Sequence, residues 1–304
     1  MNITIIGSGK VGASAALNTC LRELGNVLLL DIVKGLPQGE ALDINHQLSE
    51  LGIDCEVRGS NDYEDMKDSE IIVLVAGVGR KPGMTRMDLL TTNANIIKDI
   101  ATKIRMLARQ AIVIVVTNPV DPMTYLTLKL LGTDKMKVMG MGNMLDLSRF
   151  KSFIHEITGY SRGSISAMVI GEHGENMLPL PRFSSISGIP LTTILSHKEI
   201  ENTLDSTRKI AAEVISLKGA TIHAPGNAIA VMIESIVRDK KSLIPVSALL
   251  EGEYGVSNVC IGVPAVLGVN GIESIVELKL DNSESEIFDR GVKSVKAAIA
   301  ELNI

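Results

Sequence analysis

The fold is decided by the stretch at residues 3–12, which reads Ile3-Thr4-Ile5-Ile6-Gly7-Ser8-Gly9-Lys10-Val11-Gly12. Residues 3–6 predict a short apolar strand, and Gly25 is expected to cap the helix that follows the glycines. That helix is indicated by apolar residues at helical spacing, namely Leu17, Cys20, Leu21 and Leu24. A second apolar run at 27–30 ends at Asp31. Together these parts predict one βαβ unit.

The glycines of this unit fit the G-x-G-x-x-G pattern of a dinucleotide site. Gly7 allows a sharp turn out of the strand, Gly9 lets the backbone approach a pyrophosphate, and Gly12 lets the helix pack closely on the sheet. Amides at the helix N-terminus can then face the phosphates. Asp31 follows Gly12 by 19 residues and can accept hydrogen bonds from ribose hydroxyls, whereas it would repel a 2′-phosphate. The unit therefore predicts NAD rather than NADP, held by Gly7, Ser8, Gly9, Lys10, Val11, Gly12 and Asp31.

Further apolar runs at 71–76 and 112–116 alternate with helices predicted at 40–51 and 89–109. Continuous apolar runs that alternate with helices are typical of parallel strands buried on both faces. In such sheets, ligands bind beyond the carboxyl ends of the strands. Asp31, the loop at 77–86 and Asn118 all follow a strand, so we expect them to line one crevice.

The pattern changes after residue 143, where predicted helices alternate with strands that can form hairpins. Helices are predicted at 146–158, at 200–217, near Pro225 with a bend, and from 283 onward; strands are predicted at 165–170, 243–250, 259–267 and 272–280. Asn270-Gly271 is a strong signal for a two-residue hairpin turn. We therefore predict an α/β chain with a Rossmann doubly wound parallel sheet over 1–143, followed by a mixed α+β domain with antiparallel hairpins over 144–304.

Length favours two domains, and the cysteine pattern fits a protein of the reducing cytoplasm. The 304 residues are 45% hydrophobic, which supports a large core. A net charge of −5 and only 3% aromatic residues argue against a nucleic-acid partner. The three cysteines have no disulfide or metal spacing, so no metal is expected. Apolar runs are too short for a membrane span, and the strand at residue 3 leaves no room for a signal peptide.

His173 is the main candidate for acid–base chemistry, since it follows a predicted strand and lies between Gly171 and Gly174. These glycines permit an unusual backbone path and close ligand approach. Asp146 could orient the imidazole and stabilise its charged form. The residues alone fit two other interpretations equally well: a surface-loop histidine and an acid at a helix N-terminus.

Three arginines could bind a substrate with more than one carboxylate. Arg149 follows Asp146 by one helical turn, and Arg80 and Arg86 flank a Pro-Gly pair in a loop at a strand end. Arginine suits planar, bidentate binding of carboxylates. Each arginine alone would be read as a solvated surface residue, but all three are expected near the nucleotide crevice.

Five motifs in this order resemble those of the lactate and malate dehydrogenases, over essentially the whole chain. They are the glycine motif at 7–12, Gly79-Arg80-Lys81-Pro82-Gly83-Met84-Thr85-Arg86, Thr117-Asn118-Pro119-Val120-Asp121, Leu145-Asp146-Leu147-Ser148-Arg149-Phe150 and Ile170-Gly171-Glu172-His173-Gly174-Glu175. The sequences of these motifs are most similar to those of the lactate-dehydrogenase-like branch of malate dehydrogenases. Such enzymes exchange a hydride between a 2-hydroxy acid and NAD, and the resemblance implies a homotetramer, with a dimer as the alternative.

The resemblance also implies roles for single residues. His173 would accept and donate the proton with Asp146 as its partner, and Arg149 would bind the C1 carboxylate. Arg86 would polarise the substrate carbonyl from a mobile loop, and Asn118 would contact the substrate oxygen and the nicotinamide. Asn93, Val116 and Thr117 would lie along the cofactor.

Arg80 occupies the position that discriminates between substrates in this family. Lactate dehydrogenases usually have Gln there, so an arginine implies a second carboxylate and hence malate and oxaloacetate. Two features depart from the pattern: Asn143-Met144 replaces the usual Thr after Gly142, and Thr221 matches a pocket residue of lactate dehydrogenases. A dehydrogenase for lactate or another 2-hydroxy acid therefore stays as the alternative, together with a non-catalytic NAD-binding protein.

Overall fold

The computed structural model describes residues 1–79 and 83–302, so the predictions for Arg80 lie outside the described residues. The first half of the described chain alternates strands and helices. In order they are β1 (Asn2–Ile6), α1 (Lys10–Cys20), β2 (Asn26–Leu30), α2 (Leu36–Leu51), β3 (Val57–Ser60), β4 (Ile71–Leu74), α3 (Arg86–Leu107), β5 (Ile112–Val115), α4 (Val120–Leu131) and β6 (Val138–Gly140).

The second half contains shorter strands, two long hairpin strands and the remaining helices. In order they are α5 (Asn143–Thr158), β7 (Ile165–Ser166), β8 (Val169–Gly171), β9 (Met177–Pro179), β10 (Ser185–Ile186), β11 (Ile189–Pro190), α6 (Leu191–Ile194), α7 (His197–Lys218), α8 (His223–Val237), β12 (Ser242–Glu251), β13 (Ser257–Gly268), β14 (Gly271–Ile275) and α9 (Asn282–Ala300).

The first six strands form a parallel sheet in the order β3-β2-β1-β4-β5-β6. The chain winds outward from β1 in one direction and from β4 in the other. The carboxyl ends of β1 and β4 therefore flank the switch point at which doubly wound sheets bind ligands. The predicted Rossmann sheet and the antiparallel second half are confirmed, and β12 joins the two by pairing antiparallel with β6.

The parallel strands are buried on both faces because apolar residues occupy both sides of the pleat. Ile5, Leu29 and Val73 belong to a core shared with α1, α2 and α8. Their neighbours Ile6 and Leu30 belong to a second core shared with α3 and α4. Helices thus cover both faces, as the continuous apolar runs predicted.

The end of α1 differs from the prediction. The helix ends at Cys20, and Leu21 is 39% exposed instead of continuing the apolar stripe. Gly25 is not a helix cap: its φ is +140°, and a Cβ there would lie 2.4 Å from the carbonyl oxygen of Met1. Gly25 instead allows the chain to pass close to its own N-terminus as it enters β2.

Three predictions for the second half were wrong in detail. The run at 165–170 is divided between β7 and β8, which belong to different sheets, and β14 ends at Ile275 instead of 280. Pro225 lies in the first turn of α8, where its missing amide hydrogen has no helical acceptor, so it does not bend the helix.

The predicted hairpin exists, but Gly268 pairs with Gly271, so its two-residue loop is Val269-Asn270. The sequence prediction missed β3, α4 and β6 in the first half, and β9, β10, β11 and α6 in the second. In β3, Arg58 and Gly59 interrupt the apolar run that would have signalled a strand.

Candidate active site

The glycine turn after β1 is closed by contacts that only glycine permits. Gly7 has φ +105°, and a Cβ there would lie 2.6 Å from the amide nitrogen of Ala76, just beyond β4. A Cβ on Gly12 would lie 1.9 Å from the carbonyl oxygen of Gly7. Gly9, in contrast, faces open space within 4 Å. The turn is therefore packed on its inner side and open where a ligand would approach.

The N-terminus of α1 offers hydrogen-bond donors to that open space. Gly9 is the N-cap residue, and no side chain caps the first turn, which begins at exposed Lys10 and half-buried Val11. The hydroxyl of Ser8 is buried and has no protein partner. Uncapped amides at a positive helix end suit a pyrophosphate. These residues therefore fit the dinucleotide cofactor that the sequence predicted.

Asp31 lies at the tip of β2, directly beside the glycine turn. Its Oδ2 accepts a hydrogen bond from the amide of Ser8 at 2.7 Å, and its Oδ1 accepts one from the amide of Val33 at 2.9 Å. Two backbone amides thus fix the carboxylate in place. Each oxygen keeps further acceptor capacity for a ribose hydroxyl.

Asn93 connects the loops that follow β4 and β5. The side chain is fully buried, its Oδ1 accepts from the amide of Val78 at 2.8 Å, and its Nδ2 donates to the carbonyls of Val78 at 3.1 Å and Asn118 at 2.7 Å. Thr117 ties the same loops by donating to the carbonyl of Ala76 at 2.7 Å. Both amide hydrogens of Asn93 are therefore used to hold the two strand-end loops together.

The other predicted residues of these loops differ in exposure. Asn118 is exposed at the end of β5, and the following peptide bond to Pro119 is cis. Val116, which directly follows β5 in the chain, is half-buried. Contacts of Asn93, Val116, Thr117 and Asn118 with a cofactor or substrate stay predictions.

Asp146 brings His173 and Arg149 together. The Nδ1 atom of His173 lies 2.7 Å from Oδ2 of Asp146, and Nη1 of Arg149 lies 3.1 Å from Oδ1. Asp146 is fully buried in the first turn of α5, and Arg149 projects from the next turn. His173 reaches this carboxylate from the loop after β8, where Gly171 has φ +85°. Because a carboxylate can only accept, the hydrogen of the neutral imidazole is on Nδ1 and Nε2 can receive a proton.

Burial and charge act in opposite directions on these groups. Burial alone would lower the pKa of His173, but the charge and hydrogen bond of Asp146, helped by Asp121, raise it above its usual value. Burial lowers the pKa of the Arg149 guanidinium, with Asp146 opposing the change. The imidazolium form of His173 is thus stabilised inside a largely enclosed site.

Sequence reasoning missed two residues that hold His173. Asp121 accepts a hydrogen bond from the amide of His173 at 2.9 Å, and burial raises its pKa to about 6. A Cβ on Gly142 would lie 2.7 Å from the Cβ of His173. The only signal for Asp121 was an acid inside the otherwise apolar start of α4; Gly142 gave no signal.

Arg86 is the first residue of α3, which begins there because Thr85 and Asp88 form a capping box. Its guanidinium pairs with Glu175 at 2.8 Å, with side-chain exposures of 64% and 79%. Glu175 belongs to the loop that carries His173. Arg86 is therefore close to the His173 loop, but its charge is engaged by an acid of that loop.

Neither a metal-binding cluster nor a membrane-spanning helix is present in the part of the chain that the structure describes. Within residues 1–79 and 83–302, no group of three or more His, Cys, Asp or Glu side chains could hold a metal ion. Across the same residues, every helix is too short or too polar to cross a membrane.

The doubly wound sheet, the glycine turn with its terminal acid, and the His–Asp pair define an NAD-dependent dehydrogenase. Family models agree: residues 1–140 match the lactate/malate dehydrogenase NAD binding domain, and residues 143–303 match the lactate/malate dehydrogenase alpha/beta C-terminal domain. The chain belongs to the lactate/malate dehydrogenase family.

Named relatives and solved structures cover the chain almost completely. It is 43% identical over 301 residues to the malate dehydrogenase of Aeropyrum pernix, covering 99% of this chain and 98% of that one. The malate dehydrogenase of Methanosarcina mazei is 42% identical, with full coverage of both chains at 100%.

Among solved structures, Cryptosporidium parvum malate dehydrogenase superposes with a TM-score of 0.96 at 36% identity, covering 99% of this chain and 98% of that one. The lactate dehydrogenase of the same organism, complexed with lactic acid and cofactor, gives 0.95 at 35% identity, with coverages of 99% and 98%.

Proposed function

We propose that this chain is a malate dehydrogenase that oxidises (S)-malate to oxaloacetate reversibly with NAD. The observation that carries the proposal is the Asp146 carboxylate, which binds the imidazole of His173 through one oxygen and the guanidinium of Arg149 through the other. An acid–base group and a carboxylate-binding group are thereby held on one rigid anchor. Relatives named malate dehydrogenase at 42–43% identity support the choice of substrate.

When bound, NAD supplies the nicotinamide carbon that accepts the hydride. The chain supplies the proton chemistry: neutral His173 takes the hydroxyl proton of malate on Nε2, and the buried Asp146 stabilises the resulting imidazolium. In the reverse direction the imidazolium returns this proton to the oxygen of oxaloacetate. The raised pKa of His173 suits it to keep the proton on its imidazole after the hydride has been transferred.

We assign the remaining substrate contacts from the resemblance and from the geometry. Arg149, which is largely buried beside His173, binds the C1 carboxylate. Once the guanidinium of Arg86 has separated from Glu175, it stabilises charge on the reacting oxygen of the substrate. Asn118 contacts the same oxygen. Arg80 binds the second carboxylate. This last assignment rests on the sequence alone.

A lactate dehydrogenase is the second candidate, favoured by Thr221 and by the lactate dehydrogenase among the similar structures. The test is NADH oxidation at 340 nm with oxaloacetate and with pyruvate, measured side by side. A strong preference for oxaloacetate supports the proposal, whereas a preference for pyruvate overturns the assignment of Arg80. Activity with neither substrate, in protein that binds NADH, would favour a non-catalytic NAD-binding protein.

We also propose that residues 1–143 bind NAD, that residues 144–304 bind substrate and mediate self-association, and that the enzyme works in the cytoplasm as a homotetramer. Exposed apolar side chains on α7, Ile215 at 54% and Leu217 at 78%, support self-association through the second domain because such surface is often covered in an assembly. Light scattering coupled to size-exclusion chromatography tests this part. A measured mass of a dimer would replace the proposed tetramer by a dimer, and a measured mass of a monomer would contradict self-association.

A further inference from the structure

We propose that Asp121 and Asn143 are positioning residues that hold the backbone of His173 from two sides and so fix the place of its imidazole. The proposal deepens the proposed function, because it rests on His173 being the proton-transfer group. The two residues come from different helices, α4 and α5, and each makes one hydrogen bond to the short segment 171–173.

Asp121 holds the amide side of this segment. The residue lies in the first turn of α4 and is only 1% exposed. Its Oδ2 accepts the hydrogen bond from the amide of His173 at 2.9 Å, and the hydroxyl of Ser247 is a second hydrogen-bonding group beside the carboxylate that lowers its pKa. Hydrogen bonds to a charged group are stronger than neutral ones, so this contact is a firm anchor for the backbone.

Asn143 holds the carbonyl side. It is the first residue of α5 and is fully buried, and its Nδ2 donates to the carbonyl of Gly171 at 3.2 Å. Asp146 follows three residues later on the same helix face. One turn of α5 therefore contacts both the backbone before His173 and the imidazole itself.

The central sheet leaves space for Asn143. Gly140, Ser247, Gly262 and Gly171 pair in register across β6, β12, β13 and β8. A Cβ on Gly262 would lie 1.8 Å from Oδ1 of Asn143. The amide group thus fills the space that a side chain at Gly262 would need, which links the sheet directly to the His173 segment.

Burying these two polar side chains costs free energy. Oδ1 of Asn143 is buried without a hydrogen-bond partner among the described residues, and burial raises the pKa of Asp121, so its charged form is disfavoured. Each side chain supplies a hydrogen bond to the segment 171–173, and an apolar side chain would leave the amide of His173 or the carbonyl of Gly171 without this partner. These two contacts are the basis for assigning both residues to the positioning of His173.

Asp121 also acts on the imidazole through its charge. The charged and titratable groups that face this region are Asp146 and Arg149 on α5, Glu172 beside His173, Lys129 on α4 and Cys260 on β13. Asp146 and Asp121 raise the pKa of His173, and Arg149 lowers it. Removing the Asp121 charge should therefore lower the pKa of His173 while Asp146 stays in contact.

The first test is Asp121→Asn, which keeps an oxygen for the His173 amide but removes the charge. The pKa of the His173 ring is followed by NMR without cofactor, using His173→Asn to assign its signal. We expect the pKa to fall by about one unit. The acidic limb of the pH profile of kcat/KM for malate oxidation should move to lower pH by a similar amount. Glu284→Gln, at a buried acid on α9 paired with Arg182, is the matched control and should change neither.

The second test is Asn143→Leu, which keeps volume but removes the donor to Gly171. We expect kcat to fall by about tenfold to a hundredfold, because small displacements of a catalytic group are costly, with the Kd for NADH unchanged. Thr127→Val, which removes a buried hydroxyl from α4 away from His173, is the control and should keep kcat. Asp121→Ser replaces Asp121→Asn if the latter does not fold, and again the pKa of His173 should fall.

The proposal is overturned if the Asp121 variant keeps the wild-type pKa of His173, or if Asn143→Leu keeps the wild-type kcat while losing only thermal stability. Failure of the proposed function looks different. In that case the wild-type protein itself does not turn over oxaloacetate, while the NMR titration still reports whether Asp121 acts on His173.

Discussion

The Nδ1 atom of His173 lies 2.7 Å from Oδ2 of Asp146, although 27 residues separate them in the chain. The carboxylate is fully buried, and its second oxygen is bound to Arg149. It therefore cannot rotate away from the imidazole without breaking a second ion pair. This contact sets the hydrogen position and the pKa of the group on which the proposed chemistry depends.

Replacing Asp146 by Asn should move the pH dependence of catalysis to lower pH. In the proposed mechanism malate oxidation needs neutral His173, so we expect kcat/KM to fall as the pH drops through the raised pKa of that residue. Without the charge of Asp146 the pKa falls, and a loss in kcat on the order of 10³-fold or more is expected because the imidazolium is no longer stabilised. A pH profile measured in both directions, with NADH binding as the control, checks this. An unchanged profile would contradict the role of Asp146.

Asp121→Asn should make the protein more stable at neutral and alkaline pH. The pKa of Asp121 is about 6 in the folded protein, against 3.8 for the free group, so burial disfavours the charged form. The stability linked to the protonated form is fully present below about 3.8 and is lost as the pH rises through about 6. A shift of this size corresponds to about 3 kcal/mol. Urea unfolding at pH 4 and pH 8 should show the gain mainly at pH 8; an equal effect at both would mean that charge burial is not the cause.

Arg80→Gln should change substrate preference from oxaloacetate toward pyruvate. The second carboxylate of oxaloacetate would lose its partner, which we expect to change the ratio of kcat/KM values by roughly 10²-fold or more. Steady-state kinetics with both substrates measures the ratio directly. If the ratio stays the same, Arg80 does not select the substrate.

Replacing Asp31 by Ser should weaken NADH binding and leave NADPH binding unchanged or improved. The carboxylate lies beside the glycine turn and repels a 2′-phosphate, so its loss removes a contact for one cofactor and a repulsion for the other. Fluorescence titration with both cofactors gives the two Kd values. Equal changes in both would show that Asp31 acts on the turn and not on the ribose.

Glu175→Gln should release Arg86 and lower the KM for oxaloacetate by a few-fold. Both side chains are mostly exposed, and exposed ion pairs contribute about 0–1 kcal/mol, so Tm should change little. Asp99→Asn, which removes the exposed pair of Asp99 with Lys103, is the matched control and should leave the KM unchanged. A higher KM in Glu175→Gln would mean that Glu175 helps to place Arg86 in the site.

The sequence predicted the first βαβ unit because each of its signals is local. Apolar runs set the strands, and Gly7, Gly9 and Gly12 form a pattern within six residues. The contact that excludes a Cβ at Gly12 is local, with the carbonyl of Gly7, whereas the one at Gly7 is with Ala76 beyond β4. The strand β3 could not be predicted because Arg58 and Gly59 interrupt its apolar pattern. The division of one apolar run into β7 and β8 could not be predicted either, because it depends on the two strands pairing in different sheets. The candidate site was predicted mainly from motifs, and the contact of His173 with Asp146 agrees with that prediction.

The sequence by itself determined the sheet type, the dinucleotide turn and the set of candidate residues, because these depend on spacing within short segments. Only the tertiary structure decided which residues hold His173. Asp121 lies 52 residues and Asn143 lies 28 residues from the groups they bind. Their contacts depend on the register of β12, β13 and β8, which leaves a space at Gly262 that no local pattern reveals. Burial then gives these polar groups their effect, since the same side chains in water would bind solvent instead.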